Sequence, residues 1–280
     1  MNPVTIHSSS DHRLDAFRNV KGQGPRPDGT FVAESELVLE RLFASAITVH
    51  SLLIAPARAE RLRDLLATYV DQQPTPVEVF VADRTLIDEV IGYPLHRGVI
   101  VVAERPKPLD VARLLSSART VVVLEGVMDP DNVGTVFRHA AGFGVDAVLL
   151  LGNTGDPLYR KSVRTSMGWT LGIPYARGLT ADVLSQLRDQ EFTMLALTPD
   201  RSAEVLADTL ASLAPTGRLA LLLGSEGPGL TDETMRFADH RVRIPLTDGV
   251  DSLNVSTAGA IALYALSVAQ PTRLVGRTGL

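Results

Sequence analysis

Four side chains able to do chemistry fall in three segments of the carboxyl-terminal half: Asn132 and Arg138, then Glu226, then Asn254. Asn254 lies beyond Ile244-Pro245-Leu246, where a strand ends beside a proline and runs through a polar loop, with Ser252 and Leu253, into a small-residue helix at 258–269. The spacing puts Asn254 in the first turn of that helix. Free N–H groups and a partial positive potential there suit an electron-rich ligand. Glu226 stands in Gly224-Ser225-Glu226-Gly227-Pro228-Gly229, the turn that stops the apolar run 219–223. Glycines let a backbone approach a ligand closely. Their spacing is not the dinucleotide fingerprint GxGxxG, and Pro228 spoils a helix that would receive a pyrophosphate. Asn132 and Arg138 follow the apolar run 121–124, with Asp129 or Asp131 able to cap their helix. They are six residues apart, under two turns, so both can point toward the carboxyl edge of the strand, where open α/β sheets bind ligands.

The elements that must position these groups alternate, which predicts an α/β fold. Strands are expected at 121–124, 147–151, 192–197, 219–223 and 241–246, with 171–176 extended. Helices are expected around Arg138 and at 160–168, 181–188, 203–213 and 232–238, before the last one. The amino-terminal part reads as a separate, smaller α/β domain, with helices at 36–46, 56–70 and 85–91 and strands at 49–54, 77–81 and 98–103. Pro106 and Pro108 interrupt the pattern, and a linking helix at 110–117 follows. The expected domains are 1–110, with a flexible first ~15 residues, then 111–270, then a tail at 271–280.

An apolar content of 45% supports a real core. Lys and Arg number 27 against 32 Asp and Glu, a net charge of −5, so any phosphate-binding surface must be a local patch. With no cysteine there is neither a disulfide nor a thiolate metal site. His7, His12, His50, His96, His139 and His240 show no metal-ligand spacing, so no metal is expected. The amino terminus lacks an apolar signal core, and the run 258–269 is too short to span a bilayer. A cytoplasmic protein is the expectation.

Taken together, Asn132-x-Gly134-x-x-x-Arg138, Gly224-Ser225-Glu226-Gly227-x-Gly229, and Ile244-Pro245-Leu246 followed by Ser252-Leu253-Asn254-Val255-Ser256 resemble the SpoU (TrmH-like) RNA ribose 2′-O-methyltransferases, over about 121–269. The resemblance implies an α/β fold with a deep carboxyl-terminal trefoil knot, S-adenosylmethionine held in the knot, and a homodimer through the knotted domain. The stretch Gly29-Thr30-Phe31-Val32-Ala33-Glu34, followed by Leu37-Val38-Leu39-Glu40-Arg41-Leu42, is similar to the substrate-binding domain preceding many of these catalytic domains, which implies RNA docking. Ribosomal RNA is the favoured substrate, and transfer RNA stays open.

The resemblance gives the four side chains roles. Arg138 becomes the central catalytic residue, gripping a phosphate and stabilising the developing ribose alkoxide as a cation; otherwise it is a solvated helix arginine. Asn132 would fix RNA or Arg138, or be a turn asparagine. Glu226 would orient Arg138 or a ribose, or be a solvated turn carboxylate. Asn254, with Ser252 as a possible helper, would join the methyl-transfer centre, cap the last helix, or do both. Gly224, Ile244, Leu246, Leu253 and Thr198 are expected around the cofactor, although plain core packing suits the three aliphatic residues as well. Arg160, Lys161 and Arg164, or an arm with Arg13, Arg18 and Lys21, could neutralise RNA phosphates or be a solvated face. Aromatic residues make up only 5%, so extensive base stacking is not expected, and Trp169 should pack. A catalytically silent RNA-binding protein is the second reading. A nicotinamide-dependent dehydrogenase is a distant third, opposed by the missing fingerprint.

Overall fold

The apolar runs become strands and the stretches between them helices, in two compact units that the computed structural model describes over residues 2–18, 20, 26–73, 75–95, 98–214 and 216–270. The first unit is Met1–Pro106 together with Leu158–Leu171, and the second is Lys107–Pro157 together with Gly172–Leu280.

In the first unit, β1 (Val4–Thr5), β2 (Thr30–Glu34), β3 (Val49–Ile54), β4 (Glu78–Val81) and β5 (Val99–Glu104) form a sheet in the order β1-β4-β3-β5-β2. Its connections are α1 (Glu36–Phe43), α2 (Pro56–Arg61), α3 (Arg63–Gln72) and α4 (Arg84–Ile91). The single helix expected at 56–70 is therefore two, parted at Leu62. At the start of the chain β1 pairs in parallel with β4, and a 3₁₀ turn at His12–Phe17 buries Leu14 and Phe17. Phe17 meets the ring of Phe80 edge-on at 6.3 Å, so burial of two large apolar side chains outweighs the polar look of the segment. The tail at 271–280 lies outside the described residues.

The second unit contains α5 (Val111–Ser117), β6 (Thr120–Glu125), α6 (Pro130–Gly142) and β7 (Ala147–Leu151). After α7 (Arg160–Thr165), which belongs to the first unit, come β8 (Tyr175–Gly178), α8 (Thr180–Asp189), β9 (Phe192–Leu197), β10 (Glu204–Val205), α9 (Leu206–Ser212), β11 (Arg218–Gly224), α10 (Asp232–Phe237), β12 (His240–Arg243) and α11 (Val255–Ala269). The sheet is parallel throughout, in the order β10-β12-β9-β11-β6-β7-β8. Alternate residues of β6 serve opposite faces: Val122 and Leu124 join a core with Phe137 of α6 and Leu263 of α11, while Val121 and Val123 join Leu184 and Leu187 of α8. Burial on both faces explains why its strands read as unbroken apolar runs. From β6 the chain turns one way to β7, while β11 flanks its other side. Such a switch point opens a crevice at the carboxyl edge, at the ends of β6 and β11.

The stretch Leu158–Leu171, expected with the second domain, packs in the first unit. Glu34 explains this. Its buried carboxylate accepts from the Tyr93 hydroxyl (2.7 Å) and from Arg160 (3.0 Å), and pairs with Arg164 at 3.5 Å. Arg160 also lies 4.2 Å over the Tyr93 ring, and Arg41 lies 4.2 Å over Trp169. Burial, then the charge of Glu34, pushes the Tyr93 hydroxyl well above the usual tyrosine range and keeps it a donor. Trp169 packs, as expected.

Candidate active site

At the carboxyl edge of the second sheet, hydrogen bonds join three of the four chosen side chains. The chain begins at α11. This helix starts at Val255, earlier than expected, which makes Asn254 its N-cap rather than part of its first turn. The Asn254 Oδ1 accepts from the backbone N–H of Ser256 (2.9 Å) and Thr257 (3.2 Å) and from the Ser256 hydroxyl (2.7 Å). The helix end expected to greet a ligand thus spends those N–H groups on its own cap.

With Oδ1 committed, the Asn254 amide nitrogen must point away, and it donates to the Asn132 Oδ1 at 2.9 Å. Asn132 in turn donates from Nδ2 to the Glu226 carboxylate. Every bond runs the same way, from the positive helix end toward the carboxylate. Asn132 is buried in the first turn of α6, a position fixed by Asp129, whose side chain caps that helix through the Asp131 N–H at 2.9 Å. Glu226 is exposed at the tip of the glycine turn, and its Oε2 makes no hydrogen bond among the described residues. The turn folds back on its root so closely that a Cβ on Gly224 would lie 2.2 Å from the backbone of Gly229.

Beside this chain lies a cleft of about 500 Å³. All five residues expected around a cofactor line it: Thr198, Gly224, Ile244, Leu246 and Leu253, with Glu226, Ser252 and Asn254 at the same wall. Apolar side chains face backbone groups of the glycine turn, which fits a flat nucleobase with a polar edge. Among the described residues, no group of three or more His, Asp or Glu side chains could hold a metal ion.

Arg138 stands apart. A separation of six residues turns it about 120° around α6 from Asn132, and the side chain is exposed, with no hydrogen bond or ion pair among the described residues. Neither Asn132 nor Glu226 orients it; they hold each other. Its neighbour His139 adds no second cation, since burial, and the adjacent Arg138 charge, push the imidazole below its ordinary value. The proposed phosphate cluster changes too. Arg160 is spent on Glu34, and Arg164 shares that carboxylate. In the amino-terminal arm Arg13 pairs with Asp11 and Arg18 with Asp15, while Lys21 lies outside the described residues. Sequence reasoning missed Glu125, a buried carboxylate ending β6, and Ser256, which fixes the cap. A lone acid closing an apolar strand was the available signal for the first.

Residues 119–264 match the model of the SpoU rRNA Methylase family. An uncharacterised tRNA/rRNA methyltransferase of Mycobacterium bovis is 42% identical over 260 residues, covering 91% of this chain and 88% of the relative. The chain belongs to the SpoU rRNA methylase family. The 23S rRNA (guanosine-2′-O-)-methyltransferase RlmB of Escherichia coli K12 is 29% identical over 197 residues, 67% of this chain and 78% of that one. In fold, the chain resembles an AdoMet-bound rRNA methyltransferase from Sinorhizobium meliloti, with a TM-score of 0.79 at 23% identity over 95% and 98% of the two chains. It also resembles the SpoU methyltransferase AviRb from Streptomyces viridochromogenes in complex with AdoMet (TM-score 0.76, 20% identity, 95% and 100% covered).

The one-way bonding in this SpoU-family site is testable by Asn132→Asp, which replaces the donor to Glu226 by a second carboxylate. Denaturant unfolding should show a loss of about 1–2 kcal/mol at neutral pH. Repulsion raises a carboxyl pKa in the folded variant, so the deficit should shrink as pH falls and a proton is shared. Equal stability of the two proteins at neutral pH would show that Asn132 donates nothing to Glu226.

Proposed function

We propose that this chain transfers a methyl group from S-adenosylmethionine to a ribose 2′-hydroxyl of RNA, with ribosomal RNA the favoured substrate. The observation that carries the reading is the convergence of the Asn254–Asn132–Glu226 chain with the cleft lined by Gly224, Ile244, Leu246, Leu253 and Thr198. The relatives named as rRNA or tRNA/rRNA methyltransferases support the substrate class.

The cleft suits the cofactor in shape and chemistry: Ile244, Leu246 and Leu253 would sandwich the adenine, and backbone at Gly224 and Leu246 would read its edge. When bound, S-adenosylmethionine supplies a methyl group activated by a sulfonium. The residues do the rest by placement. Glu226, held through one oxygen, has the other free to accept from a ribose hydroxyl. Arg138 grips the phosphate next to the target ribose and stabilises the alkoxide as it forms. The proton leaves to that phosphate or to water.

We assign RNA docking to the first unit, with Lys161 and Arg164 as its contacts; the Arg164 side chain is 47% exposed, whereas that of Arg160 is 15% exposed against Glu34. We also read the second unit as the knotted form of the fold and the setting as cytoplasmic. The return of α11 from the β12 side to pack on α6 and β11 supports the knot. A homodimer through the second unit completes the reading. Ile261, Tyr264 and Val268 of α11 form an exposed apolar stripe that suits such an interface.

Labelled S-adenosylmethionine, incubated with separate ribosomal and transfer RNA pools from cells lacking the protein, tests the reaction. Label should appear in one pool and in alkali-stable dinucleotides, because a 2′-O-methyl group blocks cleavage of the adjoining phosphodiester. Label on a base would overturn the ribose assignment. In Arg138→Ala, kcat should fall by about 10²–10³ while cofactor affinity stays within about two-fold; equal losses would refute the division of labour. Tyr264→Asp should give a monomer by light scattering at micromolar concentration. A wild-type protein that is already monomeric there contradicts the dimer.

A further inference from the structure

The buried carboxylate of Glu125 has no part in the chemistry above. It ends β6, is 5% exposed and accepts three hydrogen bonds. Its Oε2 takes the backbone N–H of Thr231 (2.9 Å), and its Oε1 takes the hydroxyls of Thr231 (3.0 Å) and Thr234 (2.9 Å). Thr231 is the N-cap of α10, where its hydroxyl oxygen also accepts from the Thr234 N–H. Three donors converge on one side chain, so only an acceptor without protons satisfies them all. A glutamine would turn its own N–H groups against one of them. Burying a carboxylate among neutral donors is costly, so its retention calls for a function.

The geometry of the glycine turn supplies one. Gly224 is the strand partner of Glu125 in the β11–β6 register, so the turn starts beside this residue. Thr231 ends the turn, and Glu125 holds it. Both ends of the segment therefore meet at one carboxylate. Between them lie Gly227 and Gly229, each with positive φ, which leave the segment many alternative conformations. Every residue from Gly224 to Leu230 lines the cleft.

We propose that Glu125 is a positioning residue for cofactor binding, closing the 224–231 turn into the shape that forms the cleft wall. The inference rests on the functional reading of that cleft. Because Asn132 holds Glu226 separately, loss of the Glu125 tether should act on cofactor affinity more than on turnover.

Calorimetric titration of S-adenosylmethionine into wild type, Glu125→Gln, Thr231→Val and the double variant tests this, together with kcat at saturating cofactor. Glu125→Gln should weaken binding about ten-fold or more and leave kcat within about three-fold. Thr231→Val should weaken it less, and the double variant should be no worse than Glu125→Gln, since both substitutions remove the same tether. Thr231→Ser keeps both donors and should bind as wild type does. Unchanged affinity in a folded Glu125→Gln, or a loss confined to kcat, overturns the proposal. If Glu125→Gln does not fold, Thr234→Val, which removes one donor, decides: a several-fold weaker affinity upholds the tether and an unchanged one overturns it. Wild type that binds no S-adenosylmethionine sinks the functional reading itself, whereas wild-type binding matched by the variants sinks only the role of Glu125.

Discussion

The first turn of α11 leaves N–H groups that need an acceptor, and the side-chain oxygen of Asn254 provides it. Everything polar at the site takes its direction from that choice. Once Asn254 Oδ1 faces the helix, its nitrogen faces outward, Asn132 must offer an oxygen to it, and the nitrogen of Asn132 is left for Glu226. A helix cap, a structural necessity, thereby orders two amides and a carboxylate. The cap role expected for Asn254 and its hydrogen bond to Asn132 come from one side chain in one orientation.

The sheet decides where this happens. β11 lies between β6 and β9, so the glycine turn, the start of α6 and the start of α11 come to one edge. The apolar walls from Ile244, Leu246 and Leu253 stand beside the polar chain. Charge is sorted by burial: Glu125 and Asn132 are buried and positional, while Arg138 and Glu226 are exposed. Arg138, with no hydrogen bond or ion pair among the described residues, can meet a polyanion without first losing an internal partner, which suits an RNA substrate on a chain of net negative charge.

Much of this was legible because the second sheet is parallel and buried. Runs such as 121–124 and 219–223 admit few readings, and the turns after them carry the glycines and the acid. Of the five positions expected around a cofactor, Gly224, Ile244 and Leu253 came from the family resemblance, while Thr198 and Leu246 followed from their places at strand carboxyl ends, where ligands gather. What escaped were relations that sequence spacing does not encode. Arg138 was one of the partners expected for Glu226, a ribose being the other, yet six residues along a helix turn a side chain to another face. The stretch Leu158–Leu171 reads as part of the second half, but buried Glu34 draws Arg160 and Arg164 into the first unit. Glu125 was passed over because its donors are more than a hundred residues away in sequence.

The most direct test of the account is a crystal structure of the protein with S-adenosylhomocysteine. The account predicts the adenine between Ile244, Leu246 and Leu253, the sulfur on the side of the Asn132–Asn254 pair, and Asn254 still donating to Asn132. A nucleoside bound elsewhere, or a site in which the two amides have parted to bind it, would contradict the claim that the helix cap sets the geometry of the reaction.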